Sequence, residues 1–203
     1  MVRQLALVLC FLAPAALLPA QNSQNYAREI RLHRRHYKKE FLKEERSPLD
    51  KKGVKKLRFF PPDESYRVIC TFERTPEARP FDMATYSGIT KPYVQYGTAT
   101  FTLNGRQLQL GVYQSLRLRE IPMYRDYLFI PFKDLSNGEA TYGGGRYMDI
   151  RMDDIKNGEL MLDFNKAYNP YCAYSDGYNC PVPPVENHLE TEVNAGEKSF
   201  GGH

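Results

Sequence analysis

Apolar and polar positions change period once along this chain. Tyr26, Ile30, His33, Tyr37 and Phe41 recur at steps of four, three, four and four, one stripe of an α-helix, with Arg28, Arg31, Arg35, Lys38 and Lys39 mostly on other faces. The spacing predicts a helix over 25–44 that stops before Ser47-Pro48; His33 on its stripe reads as packed or half-exposed, His36 as solvated. From Leu57 the period is two. Tyr66, Val68, Cys70 and Phe72 alternate with Arg67, Thr71 and Glu73, the mark of a half-buried strand. Ala99, Phe101 and Leu103 before Asn104-Gly105, and Leu108, Leu110 and Val112 after it, predict a tight hairpin, because both turn residues must take positive φ. Further strands are expected at 127–132, 146–152, 159–164 and 189–193, parted by Asn137-Gly138 and Asn157-Gly158.

Some seven short strands, hairpin spacing and no second long helix imply a mainly β fold, an antiparallel β-barrel or sandwich with one N-terminal α-helix. The expected organisation is a signal peptide over 1–20, a basic helical arm over 21–56 and a single mainly β domain over 57–203. Residues 165–187 have no period, four prolines and a tyrosine cluster at Tyr168, Tyr171, Tyr174 and Tyr178, and read as an ordered loop wrapped on the domain.

The N-terminus changes the picture. Arg3 precedes an apolar run from Leu5 to Leu18, interrupted by Pro14, and small residues precede the polar stretch at Gln21. That run is about 14 residues long, whereas a spanning helix needs roughly 20, so it reads as a cleaved export signal and not as a stable membrane anchor. Export implies an oxidising compartment, where Cys172 and Cys180, eight apart in a turn-rich segment, are the natural disulfide couple. Cys70, inside an alternating strand, reads as a buried apolar side chain. Cys-x7-Cys with only His188 nearby is no recognised zinc spacing, so no metal and no cofactor are expected.

Within a 203-residue chain of net charge +4, charge is unevenly placed. Between Arg28 and Arg58 thirteen Lys/Arg face five Asp/Glu, net +8; residues 59–203 carry fourteen against nineteen, net −5. The simplest account is a solvated helix face that partly neutralises its own domain. Export removes nucleic acid as a partner and leaves the arm as a surface for a protein partner.

The segment Glu139 to Asp149 (EATYGGGRYMD) is the most suggestive for chemistry. Its glycines permit close backbone approach, and Arg146 has the fork to hold a carboxylate or phosphate. Lacking a strand–helix context it is no P-loop or Rossmann fingerprint, and an ordinary turn with Arg146 paired to Asp149 or Asp163 is the bland alternative. Asp149 and Asp163 are candidates for an acid–base pair in a hydrolase. Serine-hydrolase logic fails for want of Gly-x-Ser-x-Gly, and the expected disulfide removes the thiols a Cys–His pair would need.

Several runs together carry a resemblance: 57–67 (LRFFPPDESYR), 139–149, 162–174 (LDFNKAYNPYCAY), 180–187 (CPVPPVEN) and 195–200 (AGEKSF). The chain resembles the bacterial and archaeal family catalogued as domain of unknown function 1684. The resemblance implies a single domain, no assigned reaction and no established cofactor. Its signature would fall on Tyr142, Gly143, Gly144, Gly145, Arg146, Asp149, Asp163, Asn165, Tyr168, Asn169, Tyr171, Cys172, Cys180, Glu186 and Asn187.

The functional expectation is a binding module. Its pocket lies near the turn from Gly143 to Arg146 and uses Tyr142, Gly144, Arg146, Asp149, Asp163, Asn165, Tyr168 and Asn169 to hold a small anionic or polyhydroxylated ligand. A hydrolase built on Asp149 and Asp163, or a structural protein with no ligand, are the alternatives.

Overall fold

The computed structural model describes residues 18–201. The expected signal peptide over 1–20 lies outside them, apart from its last three positions at the start of the first helix.

That helix, α1 (Leu18–Phe41), begins earlier and ends three residues sooner than its spacing predicts. Its stripe meets the domain: Ile30 is fully buried, Tyr26 and Phe41 nearly so. A short α2 (Lys51–Lys55), unexpected from periodicity, is capped by Asp50, whose carboxylate accepts from the Lys52 and Gly53 amides at 2.9 and 2.7 Å. Leu49, Val54 and Leu57 around it pack with Phe41, Ala173 and Tyr174, so the basic arm and the tyrosine-rich loop share one small core.

The strands are β1 (Arg67–Arg74), β2 (Phe81–Ala84), β3 (Thr90–Leu103), β4 (Arg106–Ser115), β5 (Tyr127–Phe132), β6 (Arg146–Arg151), β7 (Ile155–Lys156) and β8 (Glu159–Asp163). They form one antiparallel sheet in the order β6-β5-β4-β3-β1-β8-β7, with β2 added to β3. Asn104 and Gly105 close the β3–β4 hairpin at φ 52° and 74°, as the Asn-Gly pair predicts. A bulge between Gln95 and Gly97 bends β3, and there a Cβ on Gly97 would lie 2.3 Å from the Phe72 ring.

Val68, Cys70 and Phe72 of β1 point inward with Ala99, Phe101, Leu110, Val112, Leu128, Ile130, Met148 and Leu162 to form the main core. Burial raises the Cys70 thiol to about 12, in keeping with a packed apolar side chain. The two end strands, β6 and β7, do not pair with each other, so the sheet curls without closing. Part of β6's free edge is covered by the loop: Tyr147 and Tyr168 exchange both backbone hydrogen bonds, at 2.9 and 3.0 Å.

The strand expected at 189–193 is absent. Its alternation is genuine, since Leu189 and Val193 are buried, but its backbone bonds go to a loop: Leu189 N–H to Lys133 O and Leu135 N–H to Thr191 O, with a single bridge at His188. Alternating burial there comes from a segment that plugs the end of the curled sheet. The loop over 165–187 is ordered and stapled by the Cys172–Cys180 disulfide. Among the described residues no helix is long and apolar enough to cross a membrane.

Candidate functional site

Along β6 the inward positions are Arg146, Met148 and Ile150, which places Tyr147 and Asp149 on the outer face. In a half-solvated antiparallel sheet that face would be polar. Here it is aromatic. Tyr113 of β4 stands opposite Phe129 of β5, and Phe129 opposite Asp149, so one rung across three strands ends in a carboxylate. Tyr93, Tyr113, Phe129 and Tyr147 form a third core with Met83, and Tyr127 and Tyr168 pack against it.

This face forms the floor of a cavity of about 710 Å³. Tyr37 and Glu40 of α1 make one wall, Tyr168, Tyr171 and Tyr178 of the stapled loop another, and Met161 and Asp163 of β8 the far end. Residues of β6 and β8 thus line the same space, which follows from the sheet's failure to close between its ends. α1 and the loop cover what β-pairing leaves open.

Asp149 holds the centre. Its Oδ1 accepts hydroxyl hydrogen bonds from Tyr127 and Tyr168, both at 2.7 Å. Tyr127 sits diagonally across from it on β5, and Tyr168 is brought there by the backbone exchange with Tyr147. Oδ2 accepts no hydrogen bond from any described residue, and no described cation comes within 4 Å of the carboxylate. The side chain is exposed through the cavity mouth yet enclosed by protein on its other sides, and the enclosure sets its acidity. Loss of hydration pushes its carboxyl above the usual range, against the lowering effect of the two tyrosine hydroxyls and of Arg151. Burial and the neighbouring Asp149 charge hold the Tyr127 and Tyr168 hydroxyls well above their ordinary value, so both remain proton donors.

Of the eight residues expected at a site, Asp149, Asp163 and Tyr168 line this cavity. The others serve the fold. Arg146 has no exposed surface: its guanidinium bonds Asp134 at 2.8 Å, Val193 O at 2.8 Å and Ala195 O. Neither Asp149 nor Asp163 is its partner. Its three glycines make a tight turn closed by Gly145 N–H to Tyr142 O, and Gly144 lies under Tyr86, whose hydroxyl donates to its carbonyl at 2.6 Å. A Cβ on Gly144 would meet the Tyr142 ring at 2.3 Å. Tyr142 packs with the α2 cluster.

The asparagines replace missing backbone partners. Asn165 bonds Asp63 N–H and Asp63 O, at 2.9 and 2.7 Å, and also donates to Tyr26 and Asp163. Asn169 donates to Lys198 O at 2.9 Å while its own amide donates to Glu197. Asn187 pairs with both backbone groups of Gly111. Asp163 itself accepts from Tyr26 and Asn165 through Oδ1 and leaves Oδ2 buried without a hydrogen bond, 3.9 Å from the Lys166 ammonium.

Sequence reasoning passed over Tyr93, Tyr127, Phe129 and Tyr147. The available signal is the strand Tyr127–Phe132 (YLFIPF), apolar on both faces, which excludes a solvated outer surface. The described residues contain no group of three or more His, Cys, Asp or Glu able to hold a metal ion.

Comparison with known proteins adds three findings. Residues 52–198 match the model of the family described as Protein of unknown function (DUF1684). No curated protein matches. Among solved structures, the solution NMR structure of an uncharacterised protein from Haloarcula marismortui (gene locus rrnAC0354) is 33% identical, covers 90% of this chain and 99% of its own, and superposes with a TM-score of 0.68.

Proposed function

We propose a function from one premise: this chain belongs to the Protein of unknown function (DUF1684) family, whose description assigns no reaction. The domain is a small-ligand-binding module, and its ligand occupies the aromatic cavity over β5 and β6. The observation that carries this reading is Asp149, an exposed carboxylate fixed by two tyrosine hydroxyls at the floor of a cavity walled by aromatic rings. A largely apolar hollow with few, firmly oriented polar groups is what recognition of a small molecule requires. The protein acts after export; the short apolar leader and the Cys172–Cys180 disulfide support that placement.

The test is a set of amide NMR titrations of the purified protein with neutral, anionic and cationic small molecules. Saturable shifts gathered on Tyr93, Phe129, Asp149 and Tyr168 are expected. Shifts confined to other surfaces, or none across the set, would end this reading.

A hydrolytic reading has one observation in its favour. Asp149 and Asp163 line the same cavity, and the Asp149 carboxyl is raised towards the range a general acid needs. Turnover of a glycoside or ester panel, lost in both Asp149→Asn and Asp163→Asn while ligand binding persists, would select it over simple binding.

A further inference from the structure

We infer that the cavity's ligand carries an alkylated ammonium head group, seated on the Asp149 carboxylate beside the half-buried rings of Tyr127 and Tyr168. This rests on the binding reading above and specifies its ligand class.

Four observations converge. First, Asp149 offers an acceptor and nothing else: Oδ1 already takes two hydroxyl donors, and Oδ2 is open. An anion would meet an uncompensated carboxylate in a partly dehydrated space, which is costly.

Second, no described cation pairs with Asp149. Arg151, the cation that acts on Asp149, is held by Asp126 at 2.6 Å and Met123 O at 3.0 Å, its guanidinium 5.7 Å from the Tyr127 ring centre. Lys91 and Lys166 at the cavity's margins are engaged as well, with Asn179 O at 2.6 Å and Glu29 at 2.9 Å. Burial keeps His33 on the neutral side of its usual range.

Third, rings flank the carboxylate. Tyr127 and Tyr168 are half-buried, line the cavity and hold Asp149 through their hydroxyls, above a packed layer of Phe129 and Tyr147. Ring surface beside a carboxylate attracts a cation that is too alkylated to be well hydrated.

Fourth, the hydroxyls are turned to the protein. Tyr147 donates to Pro181 O, and Tyr127 and Tyr168 donate to Asp149. Ring surface and carboxylate therefore remain for the ligand.

The experiment compares choline, tetramethylammonium and hexyltrimethylammonium with 3,3-dimethylbutan-1-ol, a neutral molecule of choline's shape, by NMR titration and calorimetry. The cations should bind saturably at Tyr147, Asp149 and Tyr168, and the alcohol more weakly. Asp149→Asn keeps the acceptor for both tyrosines and should weaken the cations at least about tenfold and the alcohol far less. Tyr127→Leu removes a ring and should weaken the cations selectively, more than Tyr127→Phe, which keeps the ring, even if Asp149→Asn fails to fold. If the alcohol binds the cavity as well as the cations, or Asp149→Asn and Tyr127→Leu bind cations like the wild type, the charge assignment is overturned and the binding reading survives. If neither kind of molecule binds there, both fall.

Discussion

Arg146 looks in the sequence like a ligand contact, yet it works as an internal tie. Its guanidinium joins Asp134, at the end of β5, to the carbonyls of Val193 and Ala195, and Asp134 Oδ1 in turn accepts from the Val193 amide at 3.1 Å. A buried charge pair of this kind is costly to break, because removal of one partner strands the other. Arg146→Ala should cost about 3–5 kcal/mol in denaturant unfolding. Arg146→Lys should recover little of it, since one ammonium cannot reach the carboxylate and both carbonyls as a planar fork does. A loss below about 1 kcal/mol would show that the tie is not what holds the C-terminal segment.

Glu197 is the other buried group with a consequence at this scale. It has no exposed surface and accepts from the Asn169 amide and the Tyr37 and Tyr174 hydroxyls. Burial raises its carboxyl from the ordinary 4.5 to about 7, only partly offset by those donors and by Arg146. Between those values the folded protein holds a proton that the unfolded chain has released. This contribution is full below about 4.5 and is lost as pH rises to about 7, on the order of a few kcal/mol. Glu197→Gln should flatten that part of the stability–pH profile, and an unchanged slope in the variant would refute the assignment.

At the scale of elements, the β3–β4 hairpin follows from Asn104-Gly105 and its flanking alternation, and β5, β6 and β8 begin at the residues expected of them. Local chemistry suffices there because turn φ and side-chain period are set within a few residues. β2 went unseen: Phe81–Ala84 is a four-residue strand bonded only to β3, and so short a run has no readable period. α1 is amphipathic by its spacing, but the spacing does not say what its apolar stripe meets. It meets β8 and the loop: Tyr26 bonds Asp163 at 2.9 Å, and Tyr37 bonds Glu197 and Tyr174 at 3.0 Å. If α1 belongs to the cooperative unit, Ile30→Ala should lower global stability by about 2–5 kcal/mol and leave a single unfolding transition. A separate early helix transition, with the sheet's midpoint unchanged, would make α1 an independent arm.

On the scale of the whole molecule, the cavity exists because a curled sheet stops short of closure. β6 and β8 approach from opposite ends of the strand order, and α1 with the disulfide-stapled loop roofs the gap. Its lining is gathered from along the chain: Tyr37, Tyr93, Asp149 and Tyr168 come from four separate stretches. The candidate site was therefore only partly legible. Asp149 and Asp163 stood out as a candidate carboxylate pair and Tyr168 as one of a loop's tyrosine cluster, whereas the aromatic floor read as ordinary strand residues.

What the sequence determined by itself is local: the helical stripe, the alternating strands, the Asn-Gly hairpin and the pairing of two nearby cysteines. Each depends on steric and hydrophobic preferences that act over a few residues. Which glycines and arginine served the fold, and which carboxylate faced open space, was decided by tertiary structure. Hydration and hydrogen-bond partners depend on what packs nearby, and for Arg146 and Asp149, three residues apart on one strand, alternation sent the first into the core and the second into the cavity.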